Sequence, residues 1–204
     1  MEIRSPESMQ PHIQKILNGE YALPPLYLEE CNILDLGANV GAFAVWAANV
    51  FPKATIYCYE PMKSNFEFLV SNTKPFGSRI KLNNFAVGNP DHTQLFVGKH
   101  NCGEASFFQL GEQTLWSETV VVKPPSCLPQ ASIIKIDTEG CELEILKPLI
   151  DLGRLWTAVM CEYHREADRR EIDRLLADYV LVGGEATRAH RGVVKYLHKS
   201  LIKE

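Results

Sequence analysis

The feature that most constrains the fold is a glycine turn that follows a short apolar run near the start of the sequence. The run at 32–36 passes into Asp35-Leu36-Gly37-Ala38-Asn39-Val40-Gly41, a D-x-G-x-x-x-G pattern, and residues 42–51 then have helical content. Glycines at such a turn let the backbone pass close to a ligand and enter the next helix sharply. The pattern predicts a strand, a turn and a helix with a ligand against the main chain, or else a plain tight turn that Asp35 caps.

The same alternation of strand and helix continues along the chain. Strands are predicted at 32–36, 54–59, 80–87, 131–136, 158–161, 179–182 and 192–197, and helices at 42–51, 63–72, 142–150 and 165–177. Strands that are apolar on both faces are typical of a parallel sheet covered by helices on each side. The last two strands are joined by a loop too short for a crossover helix, so they pair antiparallel. We therefore predict an α/β fold with a doubly wound, mostly parallel sheet and one antiparallel strand.

The stretch between residues 91 and 126 interrupts this alternation. Residues 94–97 and 118–122 are strand-like and flank a loop at 98–111, which predicts an inserted hairpin or lid. A chain of 204 residues fits one domain, with residues 1–30 as a helical leader and 31–204 as the main domain.

Charge, apolar runs and cysteine spacing limit the partners and the cellular location that we expect for this chain. The chain carries 21 Lys and Arg against 25 Asp and Glu and has no dense basic stretch, so nucleic acid is not expected as a partner. No apolar run is long enough to span a membrane and no signal-peptide pattern is present, which favours a cytoplasmic protein. The six cysteines are scattered without metal-ligand spacing, and we expect buried free thiols. These are Cys31, Cys58, Cys102, Cys127, Cys141 and Cys161.

Acidic residues at two strand ends indicate an adenosyl cofactor. Asn39 occupies the position where a dinucleotide fingerprint has its second glycine, which disfavours NAD and FAD. Asp35 would repel a phosphate but suits the cationic amine or sulfonium of S-adenosylmethionine. Glu60 follows Gly37 by 23 residues, close to the spacing at which an acid accepts hydrogen bonds from ribose hydroxyls. Asn84 at the third strand end supplies an amide where an adenine edge would lie.

The fourth and fifth predicted strands bring four further polar groups to the same edge of the sheet. Asp137 and Glu139 follow the fourth strand, and Glu162 and His164 end the fifth. Methyl transfer to a hydroxyl requires removal of its proton, a task suited to a histidine or aspartate base or to a divalent cation. We predict that His164, together with Asp137, removes this proton. One alternative is an oxygen-rich Mg²⁺ or Mn²⁺ site formed by Asp137, Glu139, Glu162 and His164. The simpler alternatives are a structural role for His164 and a helix-capping role for Glu139.

Four sequence blocks resemble the FkbM family of S-adenosylmethionine-dependent methyltransferases. They are 34–41, Tyr59-Glu60-Pro61, Asn84-Phe85-Ala86-Val87-Gly88 and Lys135-Ile136-Asp137-Thr138-Glu139-Gly140-Cys141-Glu142, and the match runs from about residue 31 to 164. The resemblance implies a Rossmann-like methyltransferase fold with a seven-stranded sheet and O-methylation of a small metabolite or sugar. It implies cofactor contacts in and near these blocks, with Ser106 as a looser match to a family loop serine. The expected contacts are Asp35, Gly37, Ala38, Asn39, Gly41, Glu60, Pro61, Asn65, Asn84, Phe85, Ala86 and Ser106.

The predicted function is methyl transfer from S-adenosylmethionine to a small-molecule acceptor, with a hydroxyl oxygen as the nucleophile. The leader and the loop at 98–111 would shape the acceptor pocket, where Phe107, Phe108 and Trp116 could stack on a ring. Methylation of nucleic-acid bases is disfavoured, since Asp137-Thr138-Glu139 stands where such enzymes carry an N-P-P-Y-like motif. A cofactor-binding module without catalysis and a nicotinamide oxidoreductase are the competing classes.

Overall fold

A computed structural model describes residues 3–26, 28, 30–98, 105–107, 114–188 and 190–202. The predictions for Cys102 and Phe108, and for most of the loop at 98–111, fall outside these residues. Within the described part of the chain, no helix combines the length and apolarity that a membrane span requires.

The core is a seven-stranded sheet with the order β10-β11-β9-β8-β1-β2-β3. All neighbours from β9 to β3 pair parallel, while β11 runs antiparallel to both β9 and β10. The predicted fold class is therefore confirmed, including the single antiparallel strand. The sheet strands are β1 Asn32–Leu36, β2 Thr55–Tyr59, β3 Ile80–Asn83, β8 Ile133–Ile136, β9 Ala158–Tyr163, β10 Tyr179–Arg188 and β11 Arg191–His198.

Helices cover both faces of this sheet because the strands are apolar on both sides. The helices are α1 Gln10–Leu17, α2 Ala42–Val50, α3 Lys63–Thr73, α4 Glu142–Asp151 and α5 Glu166–Leu175. One hydrophobic cluster joins α1, α2 and Leu69 of α3 to one face of the sheet. The other joins Ile145 of α4 and Ile172 of α5 to the opposite face. Burial of these two apolar layers is the main source of stability for an open sheet of this kind.

The predicted third strand at 80–87 is wrong in one respect, since the chain leaves the sheet after Asn83. The next residues form β4, Ala86–Val87, which pairs with β7, Val122–Lys123, in a separate two-stranded sheet. Asn84 causes the break, because its amide donates to the carbonyls of Glu60 at 2.8 Å and Pro61 at 3.1 Å. A side chain that hydrogen-bonds to nearby backbone competes with continued strand pairing.

The interruption between residues 91 and 126 contains an antiparallel hairpin, as predicted, but its second strand spans Thr114–Thr119 and not 118–122, because Val122 pairs with Ala86 instead. β5, Gln94–Gly98, pairs with β6, Thr114–Thr119. Ser106 from the connecting segment exchanges two backbone hydrogen bonds with Phe96, at 2.7 and 3.0 Å. We call the segment from β5 to β6 the insert.

The cysteines only partly fit the expectation of buried thiols. Cys58, Cys141 and Cys161 are buried and Cys31 is half-buried, but Cys127 is exposed. Cys127 ends a single 3-10 turn after β7, outside the two apolar layers, which explains its exposure.

Candidate active site

The glycine turn after β1 packs directly against the turn after β8. Gly37 has a φ of +75°, and a Cβ at this position would lie 1.8 Å from the carbonyl oxygen of Asp137. Only glycine permits both the left-handed backbone and this approach. Asn39 also has a positive φ, of 51°, and its side chain accepts a hydrogen bond from the Val40 N–H at 2.8 Å. Asparagine tolerates this conformation better than most residues, which explains how it replaces the missing glycine.

Asp35 lies beneath this turn and is completely buried. It faces Lys135 across the β1–β8 register, and the Lys135 ammonium lies 3.2 Å from the Asp35 carboxylate. Lys135 also donates to the Gly37 carbonyl at 2.7 Å. Burial raises the pKa of Asp35, and the adjacent Lys135 opposes that shift. The structure thus places Asp35 in a supporting ion pair under the turn, where it holds Lys135 and does not line the cleft described next.

A cleft of about 930 Å³, counted with its open mouth, lies above the turn at the carboxyl ends of the strands. Nine of the predicted site residues line the cleft, and the others lie outside its lining. The nine are Gly37, Ala38, Asn39, Glu60, Pro61, Asn65, Ala86, Asp137 and Glu139. The others are Asp35, Gly41, Asn84, Phe85, Ser106, Glu162 and His164.

Glu60 presents a buried carboxylate to one side of the cleft. It accepts hydrogen bonds from the backbone N–H groups of Asn39 at 2.8 Å and Met62 at 2.9 Å. Burial raises the pKa of Glu60 to about 7, although the two N–H groups act in the opposite direction. Each Glu60 oxygen accepts one backbone hydrogen bond. Because a carboxylate oxygen has a second lone pair, both oxygens can still accept hydrogen bonds from a ligand such as a vicinal diol.

Asp137 lies on the other side of the glycine turn, at the end of β8. The hydroxyl of Tyr21 donates to its carboxylate at 3.2 Å, and the Lys135 ammonium lies 3.5 Å away. Burial alone would raise the pKa of Asp137, but Lys135 and the hydrogen-bonded Glu162 carboxyl, followed by the charges of His12 and His164, hold it below its usual range. Asp137 is therefore ionised at neutral pH.

Four charged side chains behind Asp137 form a cluster that we call the carboxylate network: Glu139, Glu162, His164 and Arg191. Arg191 lies 2.7 Å from Glu139 and makes two contacts with Glu162, at 2.8 and 3.2 Å. His164 lies 3.0 Å from Glu139 and 3.7 Å from Glu162. Burial and the nearby Asp137 raise the pKa of Glu162, while Arg191 opposes the shift.

His164 does not fit the predicted role of base. Burial would lower its pKa, but Glu139 and then Glu142 raise it to about 11. A protonated imidazole cannot accept a proton, and His164 lies outside the cleft lining. These contacts favour a supporting role, in which a protonated His164 holds acidic side chains together. The Glu142 carboxylate caps the adjacent turn, because it accepts hydrogen bonds from the backbone N–H groups of Thr138 at 3.0 Å and Gly140 at 3.1 Å.

Three of the four predicted metal ligands come together in this network. Donor atoms of Glu139, Glu162 and His164 lie within 4.8 Å of one another, a spacing that a divalent ion could bridge. The charges of Arg191 and His164 already balance these carboxylates, however, so the donor set does not need a metal for its own stability. Asp137 is not part of this group of donor atoms.

The insert is fixed to the same turn. Ser106 is buried and its hydroxyl donates to the Glu139 carbonyl at 2.8 Å. Ser106 therefore holds the insert against the β8–α4 turn, and the adjacent Phe107 lines the cleft. Trp116 is 45% exposed and Phe85 stacks edge-on against Tyr59 at 5.4 Å, so neither side chain lies in the cleft lining.

The leader was predicted to shape the pocket, but none of its residues was named. Met9, just before α1, and His12, Ile13 and Ile16 of α1 line the cleft. Their spacing places them on one helical face, and this periodicity was the available signal, although it does not show where the helix docks. Lys135 and Phe43 also line the cleft and were not predicted as site residues.

Comparisons with known proteins were made by sequence and by structure, and no family model matches this sequence. Hexuronic acid methyltransferase AglP from Haloferax volcanii is 23% identical over 182 residues, which cover 86% of this chain and 74% of that protein. Methyltransferase FkbM from Methylobacillus flagellatus KT superimposes with a TM-score of 0.58 at 17% identity, covering 95% of this chain and 48% of that one. Precorrin-6y C5,15-methyltransferase from Geobacter metallireducens GS-15 gives a TM-score of 0.56 at 14% identity, covering 97% and 94%.

The solved structures show that this chain has the Rossmann-like fold of methyltransferases. The sequence relative and these structures together support the methyltransferase class of enzyme. Membership of the FkbM family stays a prediction from the motifs.

Proposed function

We propose that this protein transfers the methyl group of S-adenosylmethionine to a hydroxyl oxygen of a small-molecule acceptor. One observation carries the proposal: the Glu60 carboxylate, the Gly37–Asn39 turn and Asp137 line a single cleft at the carboxyl ends of β2, β1 and β8. Open α/β sheets bind their ligands at this edge. The sequence relationship to a methyltransferase supports the same assignment.

The residues of the cleft fit S-adenosylmethionine better than a dinucleotide. Glu60 offers carboxylate oxygens to the ribose hydroxyls, and the main chain at Gly37 is bare enough for a ligand to approach. Near this turn, the ionised Asp137 favours a cationic group such as a sulfonium and disfavours a phosphate. When bound, the cofactor would supply an electrophilic methyl group. Asn65 and Ala86 would line the adenosine side of the site.

The acceptor is proposed to be a sugar-like small molecule. The relative is named for action on a hexuronic acid, which offers both hydroxyl and carboxylate oxygens. Asp137 and Glu139 line the acceptor end of the cleft, and their charges favour a neutral hydroxyl over a second carboxylate. The net charge of −4 supports the exclusion of nucleic acid, which like the cytoplasmic location is part of this proposal.

Binding and transfer measurements on the purified protein test this function. Calorimetric titration with S-adenosylhomocysteine should give micromolar binding, and titration with NADH should give none. Labelled methyl from S-adenosylmethionine should then reach an acceptor in a panel of methyl glycosides that includes the methyl glucuronide. Tight NADH binding without S-adenosylhomocysteine binding would support the oxidoreductase class. Cofactor binding without transfer to any acceptor would leave a binding module.

A further inference from the structure

Methyl transfer to a hydroxyl needs a group that takes its proton, and His164 lies outside the cleft lining. Six titratable side chains line the cleft in the described part of the chain: His12, Tyr59, Glu60, Lys135, Asp137 and Glu139. A role for any of them as the base rests on the proposed function, because the proton to be removed belongs to its acceptor.

Three of these groups are engaged as partners of other charges. Lys135 is a buried cation between Asp35 and Asp137. Asp137 accepts a hydrogen bond from Tyr21 and forms an ion pair with Lys135, so protonation of Asp137 would weaken both interactions. Glu139 is held by Arg191 at 2.7 Å and by His164 at 3.0 Å.

Tyr59 and Glu60 are unsuited for different reasons. Burial raises the pKa of Tyr59 far above neutral, so its hydroxyl is not a base. Glu60 lies on the proposed ribose side, held by the N–H groups of Asn39 and Met62. Neither group is placed to meet an acceptor hydroxyl at the Asp137 end of the cleft.

His12 is the remaining group, and it lies on α1. Met9, Ile13 and Ile16 of the same helical face are buried in the core, which fixes the helix against α2. His12 itself is half-buried and lines the cleft. A protonated His12 lowers the pKa of Asp137, and Tyr21, which follows α1, hydrogen-bonds to the same carboxylate. The N-terminal segment thus brings two side chains to the Asp137 end of the cleft.

We propose that His12 is the general base that takes the proton of the acceptor hydroxyl, with Asp137 beside it to stabilise the imidazolium that forms. A neutral imidazole is the usual proton acceptor near neutral pH. The acceptor O–H bond breaks as the proton moves to a ring nitrogen of His12. The oxygen forms its bond to the methyl carbon as the sulfur–methyl bond breaks, and that electron pair stays on the sulfur of S-adenosylhomocysteine. His12 then releases the proton to water.

The test compares His12→Gln with His190→Gln, an exposed histidine in the β10–β11 turn outside the cleft. For each protein, S-adenosylhomocysteine affinity is measured by calorimetry and methyl transfer is measured on the acceptor that the wild-type protein uses. For His12→Gln we expect kcat to fall on the order of 10² to 10⁴-fold, the usual contribution of a general base. Its S-adenosylhomocysteine affinity should stay within about twofold of wild type, and His190→Gln should match wild type in both readouts.

Each other outcome overturns a distinct claim. Near wild-type kcat in His12→Gln would overturn the role of His12 and leave the proposed function intact. Loss of S-adenosylhomocysteine binding in both His12→Gln and His12→Asn would show a structural or cofactor-binding role instead. No transfer by the wild-type protein to any acceptor would overturn the proposed function, and the role of His12 with it.

Discussion

At the scale of single residues, Lys135 decides how two buried carboxylates coexist. Its ammonium lies 3.2 Å from Asp35 and 3.5 Å from Asp137, and Lys135 is itself buried. Removing one partner of a buried ion pair costs far more than the pair contributes, because the remaining charge loses its compensation.

Lys135→Met should therefore lower the free energy of unfolding by roughly 3 to 5 kcal/mol, measured by urea denaturation. The matched control is Lys147→Met, since Lys147 is 48% exposed and pairs with Glu171 on the surface, where a loss of about 1 kcal/mol or less is expected. Adding Asp35→Asn to Lys135→Met should recover part of the stability. Equal effects of the two lysine substitutions would contradict the assigned ion pair.

Glu60 gives cofactor binding a pH dependence at the same scale. Burial raises the pKa of Glu60 to about 7, so the carboxylate is partly protonated at neutral pH. Only the ionised form accepts hydrogen bonds from both ribose hydroxyls. S-adenosylhomocysteine affinity should therefore rise about tenfold between pH 6 and pH 8. Calorimetry at both values checks this; Glu60→Gln should bind more weakly and lose the dependence, whereas the exposed Glu67→Gln should keep it.

At the scale of elements, the carboxylate network joins the β8–α4 turn, the end of β9 and the start of β11. Arg191 opens β11, His164 follows β9, and Glu139 precedes α4 with a positive φ of 54°. A non-glycine residue in this conformation is strained, so its contacts with Arg191 and His164 must hold it there. The last hairpin thus supports the acceptor end of the cleft without lining it.

This network predicts a loss of stability at alkaline pH. The pKa of His164 is raised by Glu139 and Glu142, from its ordinary value near 6.5 to about 11. The resulting stabilisation is complete below the unfolded-state pKa and declines as pH rises from about 7 to 11. Urea denaturation should show a steeper decline between pH 7 and pH 10 for wild type than for His164→Gln. We expect a difference of about 1 to 2 kcal/mol after allowance for solvent screening. Parallel declines would contradict a protonated His164.

Features that depend on local sequence could be predicted, whereas features that depend on contacts between distant parts of the chain could not. The β1 turn, Glu60 and the alternating strands depend on local pattern and on strand ends meeting at one edge, and both can be read along the chain. The Asp35–Lys135 pair depends on the register of β1 against β8, which no local pattern specifies. The charge of His164 and the place of His12 depend on how distant elements dock, so the sequence indicated a base without indicating that His12 lines the cleft.

At the scale of the whole molecule, the charge balance around the cleft predicts that transfer does not need a divalent metal. Arg191 and His164 lie against Glu139 and Glu162 and supply positive charge there, the work that a metal would otherwise do. Treatment with a chelator followed by gel filtration should leave methyl transfer within about twofold of the untreated protein. A chelated protein that lost most of its activity and regained it with Mg²⁺ or Mn²⁺ would restore the metal interpretation.

The contact between Gly37 and the Asp137 carbonyl has a consequence for how such a protein can diversify. Two backbones touch there without an intervening side chain, so the spacing between the donor side and the Asp137 end of the cleft is set by main chain alone. Substitutions cannot adjust that spacing gradually, because the first added carbon already clashes. Under the proposed function, new acceptors would therefore be accommodated by changes in α1 and the insert, which also line the cleft.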